Sequence, residues 1–193
     1  MSEDYTDPSL TEGDSAGEEG FGPETDPGHE PDPYDPHSIT VRNLDGSIDV
    51  IVDTDNDGQA DIVRHDDDGD GVPDTVYLDG DQDGRLDTIL RDYDDDGTVD
   101  RMFIDSNGDG KTDSTAYDRN NDGRFDLVVS DTDHDGRPDT WVRDTNHDGR
   151  ADYTKVDMDE DGRADRIERD TDYDGVPDRV TYSDPDSNPY VRH

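Results

Sequence analysis

Four aspartates recur at set places in residues 53–61: Asp53, Asp55, Asp57 and Asp61, with Gly58 directly after the third. The same spacing returns every thirteen residues, ten times, without insertion or deletion. Position 1 of the unit is Asp53, Asp66, Asp79, Asp92, Asp105, Asp118, Asp131, Asp144, Asp157 and Asp170. Position 3 is Asp55, Asp68, Asp81, Asp94, Asn107, Asn120, Asp133, Asn146, Asp159 and Asp172. Position 5 is Asp57, Asp70, Asp83, Asp96, Asp109, Asp122, Asp135, Asp148, Asp161 and Asp174. Position 9 is Asp61, Asp74, Asp87, Asp100, Asp113, Asp126, Asp139, Asp152, Asp165 and Asp178, and position 6 is Gly in every copy.

Carboxylates at alternate residues converge on one hard cation when the chain curls around it. Calcium takes six to eight oxygens at roughly 2.3–2.6 Å and accepts mixed carboxylate, carbonyl and water ligands. Gly at position 6 permits the sharp turn, the carbonyl of position 7 is expected to face inward, and the position 9 carboxylate is expected to close the cage in bidentate fashion. Magnesium demands a tighter octahedron and holds its water, and zinc and copper prefer His or Cys, which stand at none of these positions. The forty side chains are therefore expected to hold about ten Ca²⁺.

Charge placement agrees with that expectation. Of 57 acidic residues in the chain, 41 lie between residues 53 and 182, and only Asp67, Asp95, Glu160 and Glu168 of these fall off the ligand positions. With 15 Lys and Arg in the same stretch, the remainder of the array is cationic. Whole-chain net charge is −40. Such a chain repels nucleic acid and anionic lipid and attracts cations, so calcium is the expected partner and nucleic acid is not; no protein partner is indicated.

The first six places resemble the calcium loop of EF-hands. The likeness stops there, since an EF-hand closes with Glu at its twelfth place and carries flanking helices, whereas place twelve here is Arg64, Tyr77, Leu90 or Phe103. Closure by an aspartate at position 9, as in Asp118-Arg-Asn120-Asn-Asp122-Gly123-Arg-Phe-Asp126, resembles the short calcium loops of FG-GAP and VCBS repeats. The tandem, acid-dense arrangement also resembles thrombospondin type 3 repeats, without their cysteines. RTX repeats are the nearest analogy in design, although their glycine-rich nonapeptide is absent. The resemblance covers about 130 of the 193 residues and implies a calcium-stapled array.

The elements that must position these loops are short. Leu, Ile, Val and Phe together make up 30 of the 193 residues, too few for an ordinary core at this charge. Positions 10–13 are rich in β-formers, so the expected fold is all-β: a calcium-stapled tandem 13-residue array, either a β-roll or solenoid or a short-strand meander. Position 11 (Val63, Val76, Ile89, Met102, Thr115, Val128, Trp141, Thr154, Ile167, Val180) is expected to form an inward column, with Trp141 in the core. Position 13 alternates (His65, Leu78, Arg91, Ile104), which points to a 26-residue structural repeat with loops at two opposite edges. Position 8 is expected to pack beneath the loops, and the Arg or Lys common at position 7 to lie outside and screen them.

Outside the array, residues 1–38 hold twelve acids and no Lys or Arg and are expected to be a disordered acidic tail. Residues 39–52 form a degenerate cap unit with Asn43, Asp45, Gly46 and Asp49 in place but Val41 at the first ligand position. Residues 183–193 form a broken exit unit with Pro189 where Gly is required.

Several other features are set aside. Gly110-Lys111-Thr112 mimics a phosphate-binding loop, but Asp105 stands where that loop needs Gly. His134 and His147 read as exposed loop-tip residues. No grouping suits nucleophilic catalysis, and the chain is expected to be non-enzymatic. With no cysteine, apolar span or visible leader, it reads as cytoplasmic by default, with leaderless export to the cell surface as the alternative. A spacer or surface module stiffened by calcium, a calcium buffer or sensor, and an acidic decoy for basic partners are the functions considered.

Overall fold

The computed structural model describes residues 37–183. Twelve strands follow one another: β1 (Ser38–Arg42), β2 (Ile48–Val52), β3 (Ile62–Asp66), β4 (Thr75–Leu78), β5 (Thr88–Arg91), β6 (Arg101–Ile104), β7 (Ser114–Tyr117), β8 (Leu127–Ser130), β9 (Thr140–Arg143), β10 (Tyr153–Val156), β11 (Arg166–Arg169) and β12 (Arg179–Tyr182). They form one sheet in chain order, each antiparallel to the next. No helix occurs among the described residues. The fold is all-β, and of the two architectures open from sequence it is the meander. Residues 1–36 of the expected tail and most of the exit unit lie outside the described residues; the tail boundary at residue 38 is corrected, since Ser38 opens β1 and pairs with Val52.

Positions 10–13 make each strand of the array because they are the only stretch of the unit dense in β-branched, aromatic and large apolar residues. Backbone hydrogen bonds extend the ladder one residue beyond each strand. Asp61 N donates to Val52 O at 2.9 Å and Asp79 N donates to Asp61 O at 2.8 Å, and equivalent bonds recur down the sheet. The aspartates at positions 1 and 9 are thus clamped at the two roots of every loop.

Antiparallel order has two consequences. Successive loops project from opposite edges, so loops of alternate units are spatial neighbours, as the alternation at position 13 predicts. The inward column at position 11 does not form. Strands four residues long pair position 11 with position 12 of the next strand, as in Leu90 with Met102 and Met102 with Ala116. Directly opposed residues share a face, so consecutive copies of position 11 point to opposite faces: Val76, Met102 and Val128 to one, Val63, Ile89 and Trp141 to the other. Trp141 is accordingly half-buried, with Lys155 Nζ 4.0 Å from its ring centroid, and is not a core residue.

Apolar burial is thin. Val76, Leu90, Met102 and Ala116 form the buried cluster, with Val99 and Phe125 of position 8 packed against it. Leu86, also at position 8, is 39% exposed, so that position packs beneath the loops only in part.

Candidate metal sites

Each array loop carries two left-handed residues. Gly at position 6 has positive φ in all ten copies, as its type requires. Position 4 is also left-handed throughout, from Asn56 (φ 62°) through His134 (62°) and Glu160 (57°) to Tyr173 (61°), with Gly69 and Gly108 completing the set. Two such residues, one apart, turn successive N–H groups toward the loop interior. There the position 1 carboxylate collects them. Gly58 N donates to Asp53 Oδ2 at 2.9 Å, Gly136 N to Asp131 Oδ2 at 2.7 Å, and the same bond exists in every copy.

The other ligand positions have equally regular partners. Position 5 accepts from the N–H of position 7, as in Asp83 from Arg85 at 3.0 Å. Position 9 accepts from the N–H of position 2, as in Asp165 from Met158 at 2.7 Å. Where position 2 is Thr or Ser its hydroxyl adds a second bond: Thr132 Oγ1 donates to Asp139 Oδ2 at 2.8 Å and Ser106 Oγ to Asp113 Oδ2 at 2.7 Å. Positions 3 and 5 stay exposed at the loop tip, while positions 1 and 9 are mostly buried.

These contacts bring ligand groups together. In Asp53–Asp55–Asp57, Asp66–Asp68–Asp70, Asp79–Asp81–Asp87, Asp92–Asp94–Asp96 and Asp131–Asp133–Asp139, one carboxylate oxygen from each member lies within 4.8 Å of the others, and three more groups meet the same condition. Such groups can hold a metal ion. Proximity is visible in the electrostatics as well. Repulsion from Asp174 raises the Asp172 carboxyl above its ordinary value, and Glu160, hydrogen-bonded to Asp135 and Asp133, is pushed up to about 7. Hydrogen bonds from Thr54 hold Asp61 below the usual carboxylate range.

Not every loop is equivalent. Arg119 Nε sits on Asp126 Oδ1, so loop 118–126 already holds a cation at its closing carboxylate. The amides of Asn120 and Asn146 donate to Asp122 Oδ2 and Asp148 Oδ2, at 3.0 and 2.9 Å. His134 Nδ1 lies 3.1 Å from Asp113 Oδ1, a contact that raises the imidazole pKa; His147 projects from the opposite edge. In the cap unit the Asn43 amide donates to Asp49 Oδ2 at 2.9 Å and Ser47 Oγ at 3.0 Å, bridging a shorter turn with neutral donors.

Sequence reasoning missed positions 2 and 4. Asn56, Gly69, Gly108 and Asn121 at position 4 were the available sign of a left-handed place, and Thr or Ser at position 2 in five copies was the sign of a partner for position 9. Position 7 behaves partly as expected: Arg85 Nη1 donates to Gly108 O at 3.3 Å and Arg150 Nη1 to Asp174 O at 3.3 Å, tying each loop to the next on its edge.

These features define a class: a tandem-repeat antiparallel sheet with acidic, cation-competent loops along both edges. No protein-family model, curated protein or solved structure matches the chain.

Proposed function

We propose that this is a non-enzymatic calcium-binding repeat protein, folded and stiffened by about ten Ca²⁺, that serves as a spacer or surface module. One observation carries the reading. Among the described residues, fourteen aspartates are buried against only five apolar side chains, and every one of the fourteen occupies position 1 or 9. Burying a carboxylate without a counter-charge costs several kcal/mol. Among the described residues, only Asp113 and Asp126 of the fourteen have a His, Lys or Arg nitrogen within 4.0 Å. Asp157 Oδ1 and Asp53 Oδ1 are moreover buried without any hydrogen-bond partner, the latter within a ligand triad. Bound divalent cations supply the missing charge, and an all-oxygen donor set of this kind favours calcium.

The energetics support a metal-dependent fold. At free calcium ten times the dissociation constant, each site adds about 1.4 kcal/mol by mass action, or about 14 kcal/mol over ten sites. That matches the ~5–15 kcal/mol stability of an ordinary domain, which a five-residue apolar core does not provide. Twelve strands at ~4.8 Å spacing make a sheet about 53 Å long, with each strand touching its sequence neighbours, the geometry of a spacer. An acidic decoy would have no reason to bury fourteen of its aspartates at the loop roots. Calorimetric titration with calcium tests the proposal: about ten ions per chain are expected, with sheet circular dichroism appearing as they bind. One or two ions, or a full sheet spectrum in chelator, refutes it. Submicromolar affinity would move the role from spacer to buffer.

A further inference from the structure

Both faces of the sheet carry apolar residues, and they differ in the row beside them. One holds the apolar cluster of Val76, Leu90, Met102 and Ala116. On the other, the register sets Arg91, Arg101, Arg143, Arg169 and Arg179 in one row across β5 to β12. At ~4.8 Å per strand that row is about 34 Å long. Tyr117 and Tyr153 stand within it, and Trp141 and Lys155 lie in the adjoining row. Arg101 lies 5.1 Å from the Tyr117 ring centroid, and Arg169 lies 5.5 Å from that of Tyr153.

This row is unpaired in a chain dense with acids. None of its five arginines, nor Lys155, has a carboxylate within 4.0 Å among the described residues. Aromatic contact covers the flat face of a guanidinium and leaves its N–H edge open to an anion. Each arginine of the row is exposed.

We infer that residues 1–36 of the same chain dock along this arginine–tyrosine row. They carry twelve acids and no Lys or Arg, the complement of the row in sign. They join the sheet at β1, and 36 residues span up to about 120 Å when extended, enough to pass the far end of a ~53 Å sheet. A free polyanion would meet the long-range repulsion of a chain that stays at about −20 even with ten Ca²⁺ bound, whereas a tethered segment stands at millimolar effective concentration.

The chain has no cysteine and one tryptophan, which makes the test direct. A nitroxide is attached to a Ser15→Cys variant of the full chain in millimolar calcium, and Trp141 fluorescence is compared with that of the unlabelled variant. Docking lowers emission roughly twofold, the loss expected for a segment bound about half the time at millimolar effective concentration. Adding 0.5 M salt (roughly a 4 Å screening length) restores it, as does the Arg143→Glu/Arg169→Glu pair, with circular dichroism confirming an intact sheet. Equal emission with and without the label, or quenching indifferent to salt and charge reversal, overturns the inference. If dextran sulfate added to the full chain at fixed free calcium shifts Trp141 emission while the label does not, an external polyanion is the occupant and the tail is not.

Discussion

Asn121 donates its side-chain amide to Asp96 Oδ2 at 2.7 Å, although 25 residues separate the two in the chain. The same amide reaches Asp94 Oδ2 at 3.2 Å. Position 4 of one loop thus enters the carboxylate cluster of the loop two units earlier, because those two loops share an edge. Glu160 reaches Asp133 and Asp135 in the same sense. Coupling between sites should follow the edges of the sheet, with loops adjacent in sequence being the more independent.

Replacing Asn121 by Ala should therefore disturb loop 92–100 as well as its own, and leave loops 105–113 and 131–139 unchanged although they are nearer in sequence. Backbone amide shifts in a calcium titration would show this. The stability loss should be about 1–2 kcal/mol, from an exposed hydrogen bond together with the poorer fit of Ala to the left-handed φ of 58° at this place. Shifts spreading to loop 105–113 would contradict edge-wise coupling.

The parity of the meander makes a stronger prediction. Deleting residues 105–117 removes one unit, exchanges the two faces for every strand that follows, and sends Arg143 and Arg169 to the apolar side. Deleting residues 105–130 removes two units and preserves both faces. The shorter deletion should lower the melting temperature in calcium more than the longer one, against the ranking expected from contacts removed. Thermal melts of the two proteins decide it.

Left-handed places predict opposite outcomes at positions 4 and 6. Gly136 has φ 96° with open space where a Cβ would stand, so Gly136→Ala carries a backbone cost alone, about 1–2 kcal/mol. Tyr173 already occupies the left-handed region at φ 61°, where Asn is better tolerated, so Tyr173→Asn should stabilise by about 0.5–1 kcal/mol. Urea unfolding at saturating calcium measures both, and a loss of stability in Tyr173→Asn would contradict the strain argument.

Core and loop closure can be probed separately. Leu90 is 3% exposed in the apolar cluster, and Leu90→Ala should cost about 2–4 kcal/mol with little change in calcium stoichiometry. Thr132→Val removes the hydroxyl bond to the buried Asp139 and should cost about 1–2 kcal/mol. If Leu90→Ala abolished binding at all sites at once, the sheet would be one cooperative unit and not a chain of neighbours.

Much of this molecule was legible in residue order because its pattern is local. A nine-residue acidic loop frame and a four-residue β segment can be read from one copy and checked against nine others, and the alternation of His65, Leu78, Arg91 and Ile104 already carried the 26-residue period. The short turn at Asn43–Asp49 was visible as a cap for the same reason. Position 4 was not legible as a contact residue: its partner lies two units away, and nothing in one copy shows that alternate loops share an edge.

The carboxylate spacing, the glycine turn and the strand segments follow from residue types a few places apart, where bonding geometry and sterics act within a single unit. Pairing between strands settled the rest. Four-residue strands in antiparallel order match position 11 to position 12, so identical places in consecutive copies face opposite ways. That pairing placed Val76 against Leu90, lined up Arg91 with Arg101, and set Asn121 beside Asp96, since register across hydrogen-bonded neighbours is a property of two strands together and of neither one alone.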